Sequence, residues 1–143
     1  MRFCLVILFL LASSLCQAEI VTVTPHTASL WSQPGGENAF ELLRAPRYYP
    51  FSVIEQDTEY LHVRDYQGQT GWVLAYEVGP QKGVVVEVAN VNIRKGPGLE
   101  YQVSFKADQG VTFKVVSEQS AWLEVMHENG DRGWLLKSLT WGQ

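Results

Sequence analysis

Residues 113–136 read FKVVSEQSAWLEVMHENGDRGWLL, and residues 51–74 read FSVIEQDTEYLHVRDYQGQTGWVL. The two segments align without a gap at an offset of 62 residues, which places Gly71-Trp72 on Gly133-Trp134 (72 to 134). Internal similarity over such a length indicates that one structural unit occurs twice in the chain.

The duplication extends toward the start of each unit. Pro34-Gly35 matches Pro97-Gly98 at an offset of 63 residues (34 to 97), so one loop differs in length by a single residue. We therefore predict two units, residues 19–80 and residues 84–143, without a long flexible linker between them.

Both units have the sequence pattern of β-strands. In VTFKV, residues 111–115, apolar side chains alternate with polar ones, as in a strand with one buried face. Asn129-Gly130 predicts a two-residue hairpin of type I′, in which both central residues need positive φ, and Gln67-Gly68 is a weaker equivalent. About five short strands in each unit predict a small barrel that closes its sheet.

Barrels of this size are marginally stable alone, because a domain of about 60 residues buries only about 60% of its unfolded surface. Both cysteines of the chain, Cys4 and Cys16, lie in the N-terminal segment, so no disulfide would stabilise the units. We therefore expect an all-β protein in which the two barrels pack together.

The N-terminal segment has the pattern of a secretory signal peptide. Arg2 is followed by an apolar run at residues 3–12 and by Cys16-Gln17-Ala18, which resembles a cleavage site. The run is about half of the roughly 20 residues that a membrane-spanning helix needs. We predict a signal peptide at residues 1–18, with lipidation of Cys16 as an alternative, and a periplasmic or secreted mature chain without a membrane span.

The charge of the chain argues against nucleic acid as a ligand. The 15 acidic residues outnumber the 11 Lys and Arg residues, whereas nucleic-acid binding needs clustered Lys and Arg. The charge is also uneven, because residues 19–80 carry eight acidic and three basic side chains, whereas residues 81–143 carry seven of each. If the ligand carries carboxylates, we therefore expect the second unit to hold it.

No group of residues predicts catalysis, a cofactor or a metal ion. The histidines occur singly, and His127, beside a predicted hairpin, is expected to be solvated. Asp57 and Glu59 lie in one polar turn, whereas a glycosidase needs two carboxylates about 5–9 Å apart across a cleft. A metal site needs three or four ligands, and His62 with Asp65 lacks a third. We expect no enzymatic activity.

The loop at residues 91–102, VNIRKGPGLEYQ, combines a basic pair with Gly-Pro-Gly and a tyrosine. A phosphate-binding loop is not expected, because its lysine would follow the glycines and a helix would come next. We expect Gly96-Pro97-Gly98 to turn the chain so that Tyr101 folds back over the barrel. Arg94 either supports its own loop or pairs with a ligand carboxylate.

Two motifs mark the second unit: Asn92-Ile93-Arg94-Lys95-Gly96-Pro97-Gly98 with Tyr101, and Gly133-Trp134 after Asn129-Gly130. With these motifs, residues 88–141 resemble the bacterial Src-homology-3 domain family. The first unit is a looser match, because Ser29-Leu30-Trp31-Ser32 lacks the Asn and Arg of the loop. The resemblance implies SH3-like barrels that act as non-catalytic modules in the bacterial envelope, often for peptidoglycan or peptides.

Aromatic residues complete the set of candidates, because Src-homology-3 folds receive extended peptides in aromatic-lined grooves. The predicted ligand-binding residues are Arg94, Tyr101, Trp122, Tyr49 and Tyr60. Trp72 and Trp134 recur after a glycine in both units, which favours a packing role. The predicted function is binding of peptidoglycan or an envelope peptide, and the alternative is a scaffold that docks on another envelope protein.

Overall fold

The computed structural model describes residues 17–143, so the predicted signal peptide at residues 1–18 lies outside the described residues except for its last two positions. The strands of the first sheet are β1 (Ile20–Val23), β2 (Thr27–Trp31), β3 (Glu41–Pro46), β4 (Pro50–Gln56), β5 (Tyr60–Arg64), β6 (Thr70–Leu74) and β7 (Val78–Gly79). The strands of the second sheet are β8 (Gly83–Val86), β9 (Val91–Arg94), β10 (Val103–Ala107), β11 (Thr112–Gln119), β12 (Trp122–Met126), β13 (Arg132–Leu136) and β14 (Thr140–Gly142). Single 3-10 turns at Ala75–Glu77 and Lys137–Leu139 precede β7 and β14.

The two sheets have the same topology. Their strand orders are β3-β2-β6-β5-β4-β1-β7 and β10-β9-β13-β12-β11-β8-β14, and all neighbours are antiparallel. The prediction of an all-β protein with two SH3-like barrels is therefore confirmed. Each sheet has seven strands rather than about five, and one of the additional strands is the short strand after each 3-10 turn, which pairs with the first strand of its own sheet.

Strand alternation places one apolar face of each sheet in a barrel core. Phe51 and Phe113, which the repeat aligns, are fully buried at the centre of these cores. Gly71 is buried where β6 crosses β2, and a Cβ there would lie 2.7 Å from Leu30 Cγ and 2.8 Å from the Trp31 carbonyl oxygen. Gly133 is crowded in the same way by Ile93. Only glycine allows this approach of the strands.

The hairpin at Asn129-Gly130 is not the predicted two-residue turn. The Gly130 N–H donates to the His127 carbonyl oxygen (2.9 Å), and the His127 N–H donates to the Asp131 carbonyl oxygen (2.8 Å). Gly130 has a φ of 97°, but Asn129 is not among the residues with positive φ. The loop is therefore a type I turn followed by a left-handed bulge residue, and Gly68 (φ 84°) repeats it in the first unit.

The two barrels share apolar contacts. Val85 of β8 is fully buried in the hydrophobic cluster of the first unit, and Trp141 of β14 packs against the same cluster. The Thr112 hydroxyl donates to the Arg47 carbonyl oxygen across the joint (2.7 Å). The expected packing of the two barrels is thus confirmed.

Val85→Ala tests whether the barrels unfold together. We expect a single transition with a free energy of unfolding about 2 kcal/mol lower, because the lost methyl groups belong to a cluster that both units build. Urea denaturation followed by circular dichroism measures it, with the exposed Val88→Ala as the matched control. Two separate transitions, one of them unchanged, would contradict the shared core.

Thr22 offers a second test at the same joint. It is fully buried beside Gly83, and its Oγ1 has no hydrogen-bond partner among the described residues. The repeat places Val85 at the equivalent position, since the upstream offset is 63 residues (22 to 85). We expect Thr22→Val to raise the free energy of unfolding by about 1 kcal/mol, because an unpaired buried hydroxyl is removed. A loss of stability in the same denaturation experiment would show that the hydroxyl is satisfied.

Candidate functional site

A groove of about 300 Å³ lies on the second barrel. Strand alternation creates it, because Ile93 points into the core whereas Arg94, the next residue, faces outward. On the neighbouring strands, Trp122 and Leu136 are cross-strand partners with the same outward orientation. The lining also includes Val88, Leu99 and Leu139.

Arg94 supports its own loop and also lines the groove. Its Nη1 donates to the carbonyl oxygens of Leu99 (3.2 Å) and Tyr101 (3.0 Å). Its Nε and Nη2 groups have no hydrogen-bond partner within residues 17–143. The two alternatives for Arg94 are therefore compatible: one nitrogen holds the loop, and the edge formed by the other two is available to a carboxylate.

The Tyr101 ring folds back against Gly96, as the Gly-Pro-Gly turn predicted. The side chain is 43% exposed, but it is not part of the groove lining, where Leu99 stands instead. Through its carbonyl oxygen, Tyr101 fixes the guanidinium of Arg94. Arg94 and Trp122 thus share one groove, and Tyr101 is not among the residues that line it.

The first barrel has an equivalent groove of about 360 Å³, which contains Tyr60. Trp31, Gly35, Gly36 and Ala39 complete its lining. The repeat aligns Tyr60 with Trp122 and Trp31 with Arg94, so the grooves occupy the same place on the two barrels. Trp31 was absent from the predicted site, although the aligned repeat could have identified it.

Tyr49 is the one predicted ligand residue that lies in a barrel core. It is only 5% exposed, and its ring is 5.1 Å from that of Phe51. Its hydroxyl donates to the buried Asp65 carboxylate (3.2 Å). Contrary to the prediction, Tyr49 is therefore not on a surface that a ligand contacts. It packs inside the barrel because Tyr48, with a φ of 71°, turns the chain just before β4.

The structure also shows where the two tryptophans with a predicted packing role and the histidines lie. Trp72 and Trp134 are half-buried on the outer faces of their sheets, and the Trp72 ring stacks on His62 at 4.6 Å. His127 is half-buried, with its ring 5.8 Å from that of Phe113, so its side chain is solvated only in part. The loop after β12 folds it onto the barrel.

Neither a metal centre nor a membrane helix is found in the part of the chain that the structure describes. Within residues 17–143, no three His, Cys, Asp or Glu side chains come together as metal ligands. The same residues contain no helix with the length and apolar character needed to cross a bilayer.

Comparison with known protein families identifies the kind of domain that the second unit contains. The family model of the bacterial SH3 domain matches residues 87–142. Residues 87–142 are a bacterial SH3 domain. This SH3 domain includes the groove with Arg94 and Trp122, and it begins close to the predicted start of the resemblance.

Relatives of the chain are much longer than it is. YrvJ of Bacillus subtilis, named as an N-acetylmuramoyl-L-alanine amidase, is 27% identical over 59 residues, or 41% of this chain and 11% of that protein. LytH of Staphylococcus epidermidis, named as a cell wall amidase, is 32% identical over 54 residues, which are 37% of this chain and 19% of that protein. The solved structure of NlpC1 from Trichomonas vaginalis is 13% identical to this chain and has a TM-score of 0.40. The match covers 96% of this chain and 50% of that one.

The buried pair of Tyr49 and Asp65 predicts a loss of stability in alkali. Burial raises the pKa of the Tyr49 hydroxyl, and the Asp65 carboxylate raises it further. An unfolded tyrosine ionises near pH 10, so the stability that Tyr49 supplies is present below about pH 10 and falls above it by about 1.4 kcal/mol per pH unit.

Tyr49→Phe should remove this alkaline dependence. At pH 7 the variant should be about 1 kcal/mol less stable, because the Asp65 carboxylate loses a donor, and the difference should shrink and reverse above about pH 10. Urea denaturation at several pH values measures both effects, with the exposed Tyr76→Phe as the control. Parallel pH profiles of Tyr49→Phe and the wild type would contradict the argument.

Proposed function

We propose that this protein is a non-catalytic binding module of the bacterial cell envelope, which holds peptidoglycan or an envelope peptide in the groove of its SH3 domain. One observation carries the proposal: the guanidinium edge of Arg94 that has no partner among residues 17–143 lies in the same groove as the indole of Trp122. The relatives named as amidases of cell-wall material support an envelope location.

The groove suits a ligand that carries a carboxylate next to apolar groups. The Nε and Nη2 edge of Arg94 matches the two oxygens of a carboxylate. Trp122, Leu136 and Leu99 offer apolar contact beside it. Peptidoglycan stem peptides carry such carboxylates, and the neutral second unit repels them less than the first unit, whose net charge is −5.

We also propose that the groove is not a catalytic site. Its lining has no histidine, serine, cysteine or acidic residue. Asp57 and Glu59 are exposed in the first unit, outside both grooves. A binding module needs none of these groups. In this proposal, an exported chain brings the SH3 domain to the wall, and the first barrel stabilises it.

Arg94→Gln tests the groove. We expect its affinity for protein-free sacculi to fall about tenfold, because a charge-assisted bidentate hydrogen bond is worth about 1.5–3 kcal/mol. Co-sedimentation of residues 19–143 with sacculi at increasing salt measures this, and wild-type binding should weaken with salt. Trp122→Ala should weaken binding at every salt concentration.

Lys95→Gln is the matched control, because it removes the same charge from the adjacent, exposed residue outside the groove. Equal affinity of Arg94→Gln and the wild type, with a native circular dichroism spectrum, would refute the role of Arg94. Binding to untreated sacculi but not to protein-free ones would identify an envelope protein as the partner. Release of soluble wall fragments would identify an enzyme.

A further inference from the structure

A second cavity, of about 370 Å³, opens on the SH3 domain and shares no lining residue with the groove. Its floor is formed by the buried Phe113 and Ala107 together with the half-buried Phe105 and Val111. Its rim is formed by His127 and by the exposed Lys106, Asp108, Asn129 and Asp131. The cavity therefore has an apolar floor and a polar mouth.

In the first barrel, a tyrosine fills the corresponding place. The offset of 62 residues aligns Val111 with Tyr49 (49 to 111) and the cavity residue His127 with Asp65. Phe51 and Phe113, the aligned core residues, form the floor in both barrels. The ring of Tyr49 lies on Phe51 (5.1 Å), and its hydroxyl reaches Asp65. The internal repeat thus identifies a phenol ring as the group that fits this part of the fold.

In the second barrel, Val111 lacks the ring that Tyr49 provides, and the ring of Phe105 lies 6.3 Å from that of Phe113. The His127 ring contacts the edge of the floor, 5.8 Å from Phe113, and leaves the cavity open. An apolar protein cavity of about 150 Å³ is large enough to bind benzene. A phenol side chain therefore fits within the available volume.

His127 supplies a hydrogen-bond donor that has no partner. Its Nδ1 accepts a hydrogen bond from the Asn129 N–H (3.2 Å), so the neutral ring carries its hydrogen on Nε2. Within residues 17–143, Nε2 has no partner. A phenol oxygen accepts such a hydrogen bond, whereas a phenylalanine or leucine side chain does not.

The neighbouring strand makes a polypeptide the natural source of the ring. β10 supplies Phe105, Lys106 and Ala107 to the lining, and it is the edge strand of its sheet. Its outer backbone groups are available for pairing with an added strand, which would direct alternate side chains toward the barrel.

We propose that this cavity binds a tyrosine side chain of a partner polypeptide, in the place that Tyr49 occupies in the first barrel. The inference does not depend on the groove or on binding of the cell wall. It follows from the repeat, the open volume beside Phe113, and the unpaired His127 Nε2.

Three blocked tripeptides test the ligand: acetyl-Gly-Tyr-Gly-amide and its Phe and Leu counterparts, titrated into the ¹⁵N-labelled full chain. We expect the Tyr peptide to shift amide resonances in residues 105–113 and 127–131, with an affinity about fivefold above that of the Phe peptide because of one added hydrogen bond. The Leu peptide should cause no such shifts. Equal binding of all three peptides, or shifts elsewhere only, would overturn the proposal. Binding of p-cresol without binding of the Tyr peptide would overturn the polypeptide source.

Val111→Tyr provides a variant that fills the cavity from within. We expect it to fold with at least wild-type stability. Its Kd for the Tyr peptide should be higher by roughly a factor of ten. Val116→Tyr, the same change at an exposed position of β11, the strand that follows Val111, should bind like the wild type. Undiminished binding by Val111→Tyr would refute the site, and if this variant fails to fold, the wild-type titrations still decide.

Discussion

The close approach of β13 to β9 at Gly133 is the constraint on which the groove of the SH3 domain depends. Since Gly133 has no side chain, Ile93 lies against the strand and Trp134 pairs with Arg94. This register turns Ile93 into the core and Arg94 outward, onto the face that carries Trp122. A larger residue at position 133 would separate the strands and remove the shared wall of the groove.

The same backbone constraint in both barrels makes their side-chain differences informative. Where the second unit has Arg94 in the groove, the first has Trp31, which changes a charged wall into an aromatic one. Where the first unit fills its core with Tyr49, the second has Val111 and an open cavity. The two units thus share their strand topology and differ in the side chains that line the grooves and the cavity.

Much of the fold was predictable from the sequence, because the repeat and the alternation of apolar residues report directly on strands with one buried face. The burial of the Tyr49 side chain, in contrast, could not be predicted from the sequence. Tyr48, before it, has a φ of 71° in a turn, so the alternation of β3 does not continue into β4. The hairpin type depended on the φ of Asn129, and the burial of His127 depended on how that loop folds. Neither the φ of Asn129 nor the path of this loop can be read from the pattern of residue types.

Contact between the barrels gives the first unit a part in a shared apolar core. Each is small enough to be marginally stable alone, and Val85 of the second unit is buried in the hydrophobic cluster of the first unit. The first unit keeps the buried residues that this contact requires, including Phe51, but not the Asn and Arg of the loop motif. The shared core is built from buried apolar residues, and the residues that line the groove of the first unit do not belong to it. The SH3 domain is thereby stabilised without disulfides among its residues, and its own loop keeps the arginine that faces the groove.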